Sequence, residues 1–162
     1  MTTREIAAAM RRVEAVLRRR PAVGVHEDAP AAARWEDGTR VVTSHGSGTE
    51  LATDMPREFG GTGEQVTPGW LFRAGLASCT ATRIAMAAAE AGIELATLEV
   101  VAGSRSDTRG VLGMSDAAGA PVSSAPSEVQ LQVRIAARGA DSQRVERLVD
   151  EACRCSPIAA AV

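Results

Sequence analysis

Apolar positions along this chain change their period several times, and each change marks an element. From residue 2 to residue 20 they recur at helical spacing. Ile6, Met10, Val13 and Leu17 share one face, Thr2 and Glu5 are spaced as a capping box, and Pro21 is a stop. Short strand-like runs follow at Ala32 to Trp35, Arg40 to Ser44 and Glu50 to Thr53. Asp37-Gly38 supplies a hairpin turn between the first two, and Gly46-Ser47-Gly48 a second turn.

Residues 68 to 91 form a run of another kind, in which only Arg73, Arg83 and Glu90 are charged. Thr67 stands as N-cap, Pro68 at the first helical position and Gly92 at the close. A helix apolar nearly all round and rich in Ala, Gly and Ser has to be buried, with other backbones packed close to it. Leu95 to Ala102 predicts a strand, followed by a Gly/Ser/Asp-rich loop with a short hairpin. Val129, Leu131, Val133 and Ile135 then alternate with Gln130, Gln132 and Arg134, the pattern of a half-buried antiparallel strand. Asp141 caps a last helix with Val145, Leu148, Val149 and Ala152 on its inner face. Pro157 kinks or ends it just after Cys153-Arg154-Cys155. The order helix, strands, buried helix, strands, helix is an α+β arrangement.

Composition narrows the classes of partner. The 162 residues are 45% hydrophobic and 23% charged, the range of one globular domain. A net charge of −2 with 2% aromatics offers neither a basic surface nor stacking platforms for nucleic acid. Residues 2 to 20 hold six arginines against two acids, so they carry +4 while the remainder carries −6. This segment, taken as an N-terminal basic amphipathic helix over residues 1–22, reads as a solvated surface helix ahead of a domain over 23–162. No apolar run approaches the roughly 18 residues of a membrane span, and the N-terminus lacks the apolar core of a secretory signal. The expectation is a cytoplasmic protein without a membrane partner.

Candidate chemistry lies with the three cysteines. Cys79 is at the middle of the apolar helix, with Arg83 four residues on and on the same face, the kind of cation that favours a thiolate. Cys153 and Cys155 follow 74 and 76 residues later, near the end of another helix. Two readings stay open, a redox pair or inert core sulfurs, and with them which of Cys153 and Cys155 faces Cys79. A metal site lacks ligands, since His26 and His45 are the only histidines and both lie in the N-terminal third. Gly60-Gly61-Thr62-Gly63 has no Lys-Ser/Thr after it and so is not a phosphate loop, and no Gly-x-Ser-x-Gly elbow is present. No cofactor is expected.

Several of these segments, in this order, resemble the OsmC/Ohr family of organic hydroperoxide reductases and their relatives. They are Gly60-Gly61-Thr62-Gly63, Thr67-Pro68-Gly69-Trp70-Leu71-Phe72, Ala77-Ser78-Cys79-Thr80, the strand from Leu95 and the closing Ala152 to Pro157, and the likeness spans roughly residues 30 to 162. The resemblance implies an α+β fold with antiparallel sheets wrapped around long central helices in an intertwined homodimer. It implies a thiol peroxidase in which Cys79 attacks an organic hydroperoxide and Cys155 resolves the sulfenic acid. A dithiol such as a lipoylated protein would then reduce the disulfide. The alternative within the family is a non-catalytic protein that holds a small apolar ligand at the dimer interface.

Three positions depart from the family pattern. Gly69 stands where active members carry a glutamate. Glu36 stands beside the first hairpin where they carry an arginine, which leaves Arg83 as a substitute. Ser156 stands immediately before the proline, where the resolving cysteine is usual, with Cys155 one residue early. The chain also ends five residues after Pro157, so a closing edge strand common in the family is expected to be absent.

Overall fold

The computed structural model describes residues 2–161. Contacts divide the chain into two units, Met1–Phe72 and Arg73–Val162.

The first unit opens with α1 (Thr3–Arg19), whose capping box forms as the sequence predicts: Thr2 Oγ1 accepts from the Glu5 amide and the Glu5 carboxylate accepts from the Thr2 amide. Ala7 is its buried residue, while its second half is exposed except at Val16 and Leu17. Pro21 then starts a single 3-10 turn. Strands β1 (Ala32–Asp37), β2 (Arg40–Ser44) and β3 (Glu50–Thr53) form an antiparallel sheet in that order. Trp35 pairs with Val41 and Val41 with Thr53. Thr53 also bridges Val66 in parallel.

The loop between β3 and the next helix is fixed by Asp54, which is only 2% exposed. Its carboxylate accepts hydrogen bonds from the Thr39 hydroxyl and the Met55 amide, and from both the amide and the hydroxyl of Thr62 at 2.7 and 2.6 Å. The glycine run closes this loop for a steric reason. A Cβ on Gly61 would come within 1.8 Å of the Met55 carbonyl oxygen, so no other residue fits there without moving backbone.

Helix α2 (Pro68–Glu90) crosses the boundary between the units. Thr67 Oγ1 accepts from the Trp70 amide at 3.2 Å, the cap expected from the sequence. At the far end the Ile93 amide donates to the Ala88 carbonyl and the Gly92 amide to that of Ala89, with Gly92 at φ +67°. That is a Schellman closure, and it folds the buried Ile93 back onto the helix.

In the second unit β4 (Glu94–Arg105) and β5 (Ser127–Arg138) pair antiparallel along their whole length, with Val100 opposite Val133 and Ala102 opposite Leu131. From Leu98 along β4 and from Val129 along β5 one face is half-buried and the other exposed, the alternation legible in the sequence. Between them lies a single-turn helix, α3 (Thr108–Val111), that the sequence reading did not foresee. Asp107 caps it and ion-pairs Arg109. Helix α4 (Ser142–Arg154) starts on the Asp141 cap and ends one residue before Cys155.

The hydrogen bonds onto Asp54 hold its carboxyl well below the usual carboxylate range, the Thr39 and Thr62 hydroxyls contributing most. Because the folded value lies below the unfolded one, the stability it contributes is present above the unfolded value near pH 4 and is lost as pH falls below it. Asp54→Asn is expected to lower Tm at pH 7, by about 5 °C. The gap between wild type and variant should narrow in thermal melts taken stepwise from pH 5 to pH 2.5.

Candidate active site around Cys79

Five positions of α2 fall in one stripe at helical spacing, Leu76, Cys79, Arg83, Ala87 and Glu90. The stripe edges onto the buried row Leu76, Thr80, Ile84 and Ala88. Cys79 is half-buried, so its sulfur sits at the margin between core and solvent.

The group that meets this sulfur is a hydroxyl. Ser156 Oγ donates to Cys79 Sγ at 3.3 Å, and Ser156 is fully buried. The local sequence explains why this residue turns inward. Its amide bonds the Cys153 carbonyl and its carbonyl accepts from the Ala160 amide. Pro157 disfavours the helical region for the residue before it, so the chain leaves the helical path at Ser156 and its side chain leaves the 100° step with it.

The two cysteines just upstream are placed otherwise. Cys155 is the C-cap residue of α4 and is exposed, with its amide held by the Glu151 and Cys153 carbonyls. Cys153 is half-buried on the last helical turn, and burial, reinforced by Asp150, pushes its thiol up. All three sulfurs are free. The side chain that hydrogen-bonds Cys79 Sγ belongs to the residue after both of them. The contact falls at the position where the family pattern has its resolving cysteine, here a serine.

Arg83 is drawn towards the opposite end of α2. Its Nη1 is 3.5 Å from Glu90 Oε2, and Glu90 lies seven residues, about 10 Å along the axis, further from the thiol end. That nitrogen is buried without a hydrogen bond, as is Thr80 Oγ1. Around Leu76, one turn before Cys79, an apolar cavity of about 190 Å³ is lined also by Val129, Leu131 and Ala159. Ile158 packs beside Gly75. Among the described residues no three His, Cys, Asp or Glu side chains cluster as metal ligands. His45 is spent on its own turn, with Nδ1 2.8 Å from the Ser47 hydroxyl. No helix among the described residues is long and apolar enough to cross a membrane.

The model of the OsmC-like protein family matches residues 61–162, which hold the whole of α2, its cysteine and the closing Ser156-Pro157 turn. The chain belongs to the OsmC-like family. No curated protein matches it. Its fold is similar to that of an OsmC-like protein from Mycoplasma pneumoniae, with a TM-score of 0.69 at 14% identity over 85% of this chain and 88% of that one. It is also similar to an organic hydroperoxide resistance protein OsmC from Legionella pneumophila, TM-score 0.56 at 24% identity, covering 85% and 90%. A third likeness is to an organic hydroperoxide resistance protein from Elizabethkingia anophelis, TM-score 0.60 at 17% identity, covering 85% and 89%. At these identities the likeness establishes the fold, an α+β arrangement with antiparallel sheets, as expected from the sequence.

The Ser156–Cys79 contact is close enough to be converted into a bond. Ser156→Cys is expected to give a second thiol at Cys79 that closes a disulfide under mild oxidation, with loss of two free thiols and two mass units. Retention of all thiols in that variant after diamide treatment would contradict the placement of residue 156.

Proposed function

We propose that this OsmC-like protein reduces organic hydroperoxides at Cys79, which works as a single reacting thiol. The observation that carries the reading is the half-buried Cys79 sulfur with the buried Ser156 hydroxyl directed at it. The thiolate attacks the peroxide oxygen distal to carbon, the O–O bond breaks, and the alcohol leaves after taking up a proton, so the sulfur becomes a sulfenic acid. The apolar cavity beside Leu76 suits the alkyl part of such a peroxide.

Resolution within the chain requires Cys153 or Cys155 to reach Cys79, and in the resting geometry Ser156 occupies that place while Cys153 lies on the last turn of α4 and Cys155 at its end. A thiol from outside therefore completes the cycle. It condenses with the sulfenic acid, water leaves, and a second thiol releases Cys79 from the mixed disulfide.

The working unit is a homodimer. No residue of β4 or β5 is fully buried, and a two-stranded ribbon of 12-residue strands is marginal on its own. Val101 is 52% exposed and every position of β1 is exposed, Trp35 included. A second copy of the chain would supply the missing cover.

Gly69, in place of the family's glutamate, favours a second reading, in which the same cavity holds an apolar ligand and the sulfurs stay unreacted. Intact mass and thiol count after one equivalent of cumene hydroperoxide separate the two. The peroxidase reading expects loss of one thiol and a gain of 16 mass units, absent in Cys79→Ser and unchanged in Cys155→Ser. A loss of two thiols in wild type that Cys155→Ser abolishes would reinstate the cysteine pair. Three intact thiols would leave ligand binding.

A further inference from the structure

The family match begins at residue 61, so α1 and the turn that follows it lie outside the shared part of the chain. They hold a strongly one-sided charge. Residues 11–20 carry five arginines against one glutamate, and acid returns only at Glu27 and Asp28. All five arginines are exposed. Among the described residues only Arg18 has an ion-pair partner, the exposed Glu14 at 2.6 Å, while Arg19 reaches the Ala15 carbonyl.

Apolar side chains stand open beside these cations. In the first half of α1 Ile6 and Met10 are half-buried and Ala7 is buried, but one turn beyond Met10 the side chain of Val13 is 58% exposed. The 3-10 turn Pro21–Gly24 folds back on the helix end, so closely that a Cβ on Gly24 would come within 3.1 Å of Leu17 Cδ2. The turn and the residue after it leave Val23 53% and Val25 88% exposed. At the helical step, Arg12 and Arg19 lie on one flank of the line through Val13 and Leu17, and Arg11 and Arg18 on the other, each about 130° round from it. The sequence pattern reads as a solvated face, and the three open valines are what it could not show.

We infer that this end of α1, with the turn that follows, docks on an anionic lipid surface. Guanidinium groups on both flanks of an apolar line are the arrangement of a helix lying in a bilayer interface, where they reach headgroup phosphates as the valines enter the edge of the acyl region. Nucleic acid would take up the arginines and leave the valines in water. Residues 2 to 20 carry +4 and the remainder of the chain −6, so an anionic surface attracts this end, repels the rest, and meets the protein helix first. The docking asks nothing of Cys79 and stands apart from the peroxidase reading.

Co-sedimentation of the full chain with vesicles tests this. Binding to vesicles of phosphatidylcholine mixed with phosphatidylglycerol is expected to exceed binding to phosphatidylcholine alone by about tenfold, and to be lost at about 1 M salt. Arg12→Gln with Arg19→Gln, which keeps good helix formers at both positions, should lower it about tenfold. Val23→Ser with Val25→Ser, outside the helix, should lower it severalfold and leave its salt dependence in place. Equal binding to both kinds of vesicle, or no loss with either double variant, would overturn the assignment. So would displacement from the vesicles by duplex DNA while the valine variant binds as wild type does, since the arginines would then serve any polyanion. If no vesicle is bound and the valine variant halves the apparent mass on gel filtration, a second copy covers this face and the lipid assignment fails.

Discussion

A helix of 23 residues with three charges buries one continuous row of side chains, although its Ser78 and Thr82 are exposed, and the core of the second unit is built on that row. The row Leu76, Thr80, Ile84 and Ala88 is buried, and each has a relative exposure of 1% or less. Both ends of α2 are closed by side-chain or glycine devices, so its backbone groups are satisfied before anything packs on it. The core it anchors is small, and its other members, Ala89, Ile93 and Ala152, come from the helix end, the following turn and α4. Small residues here bring backbones near, and the cysteine lies one position off the buried row, where a sulfur can be both held and reached.

The chemistry that this sulfur can perform is decided on the other helix, by one proline. Pro157 takes the chain out of the α4 path, and the residue that turns inward is whichever stands before it. In this chain that residue is a serine. The consequence is a thiol that meets a hydroxyl in place of a second thiol, with Cys155 left on the exposed helix end a single residue away. A register of one residue therefore separates a contact between two sulfurs from a contact between a sulfur and a hydroxyl. The arginine that the sequence offered as the thiol's companion is engaged with Glu90, which draws its positive charge towards the far end of α2.

The carboxylate of Asp54 shows the same economy in the first unit. One side chain accepts from three residues and holds a glycine loop that would otherwise have no fixed path into the Thr67 cap. The glycines were visible in the sequence as a loop, but the acid that orders them was not. An isolated Asp between a short strand and a Met-Pro turn carries no periodic signal, and its partners Thr39 and Thr62 are 15 and 8 residues distant.

What the sequence determined by itself were the local features: three hairpin strands, the capping box of α1, the Thr67 and Asp141 caps, the Gly92 closure, the alternation of β5 and the apolar helix bearing Cys79. Each depends on residues within a few positions of one another, through hydrogen bonds and side-chain periods that neighbouring residues alone can set. The ordered segments from Gly60 to Pro157 likewise carried the family. Tertiary structure alone decided which side chain faces Cys79 and where Arg83 is engaged. Those are matters of side-chain direction at an element's end and of two helices brought side by side. A one-residue change of direction after α4 outweighs any pattern of spacing, because it selects serine or cysteine for the contact.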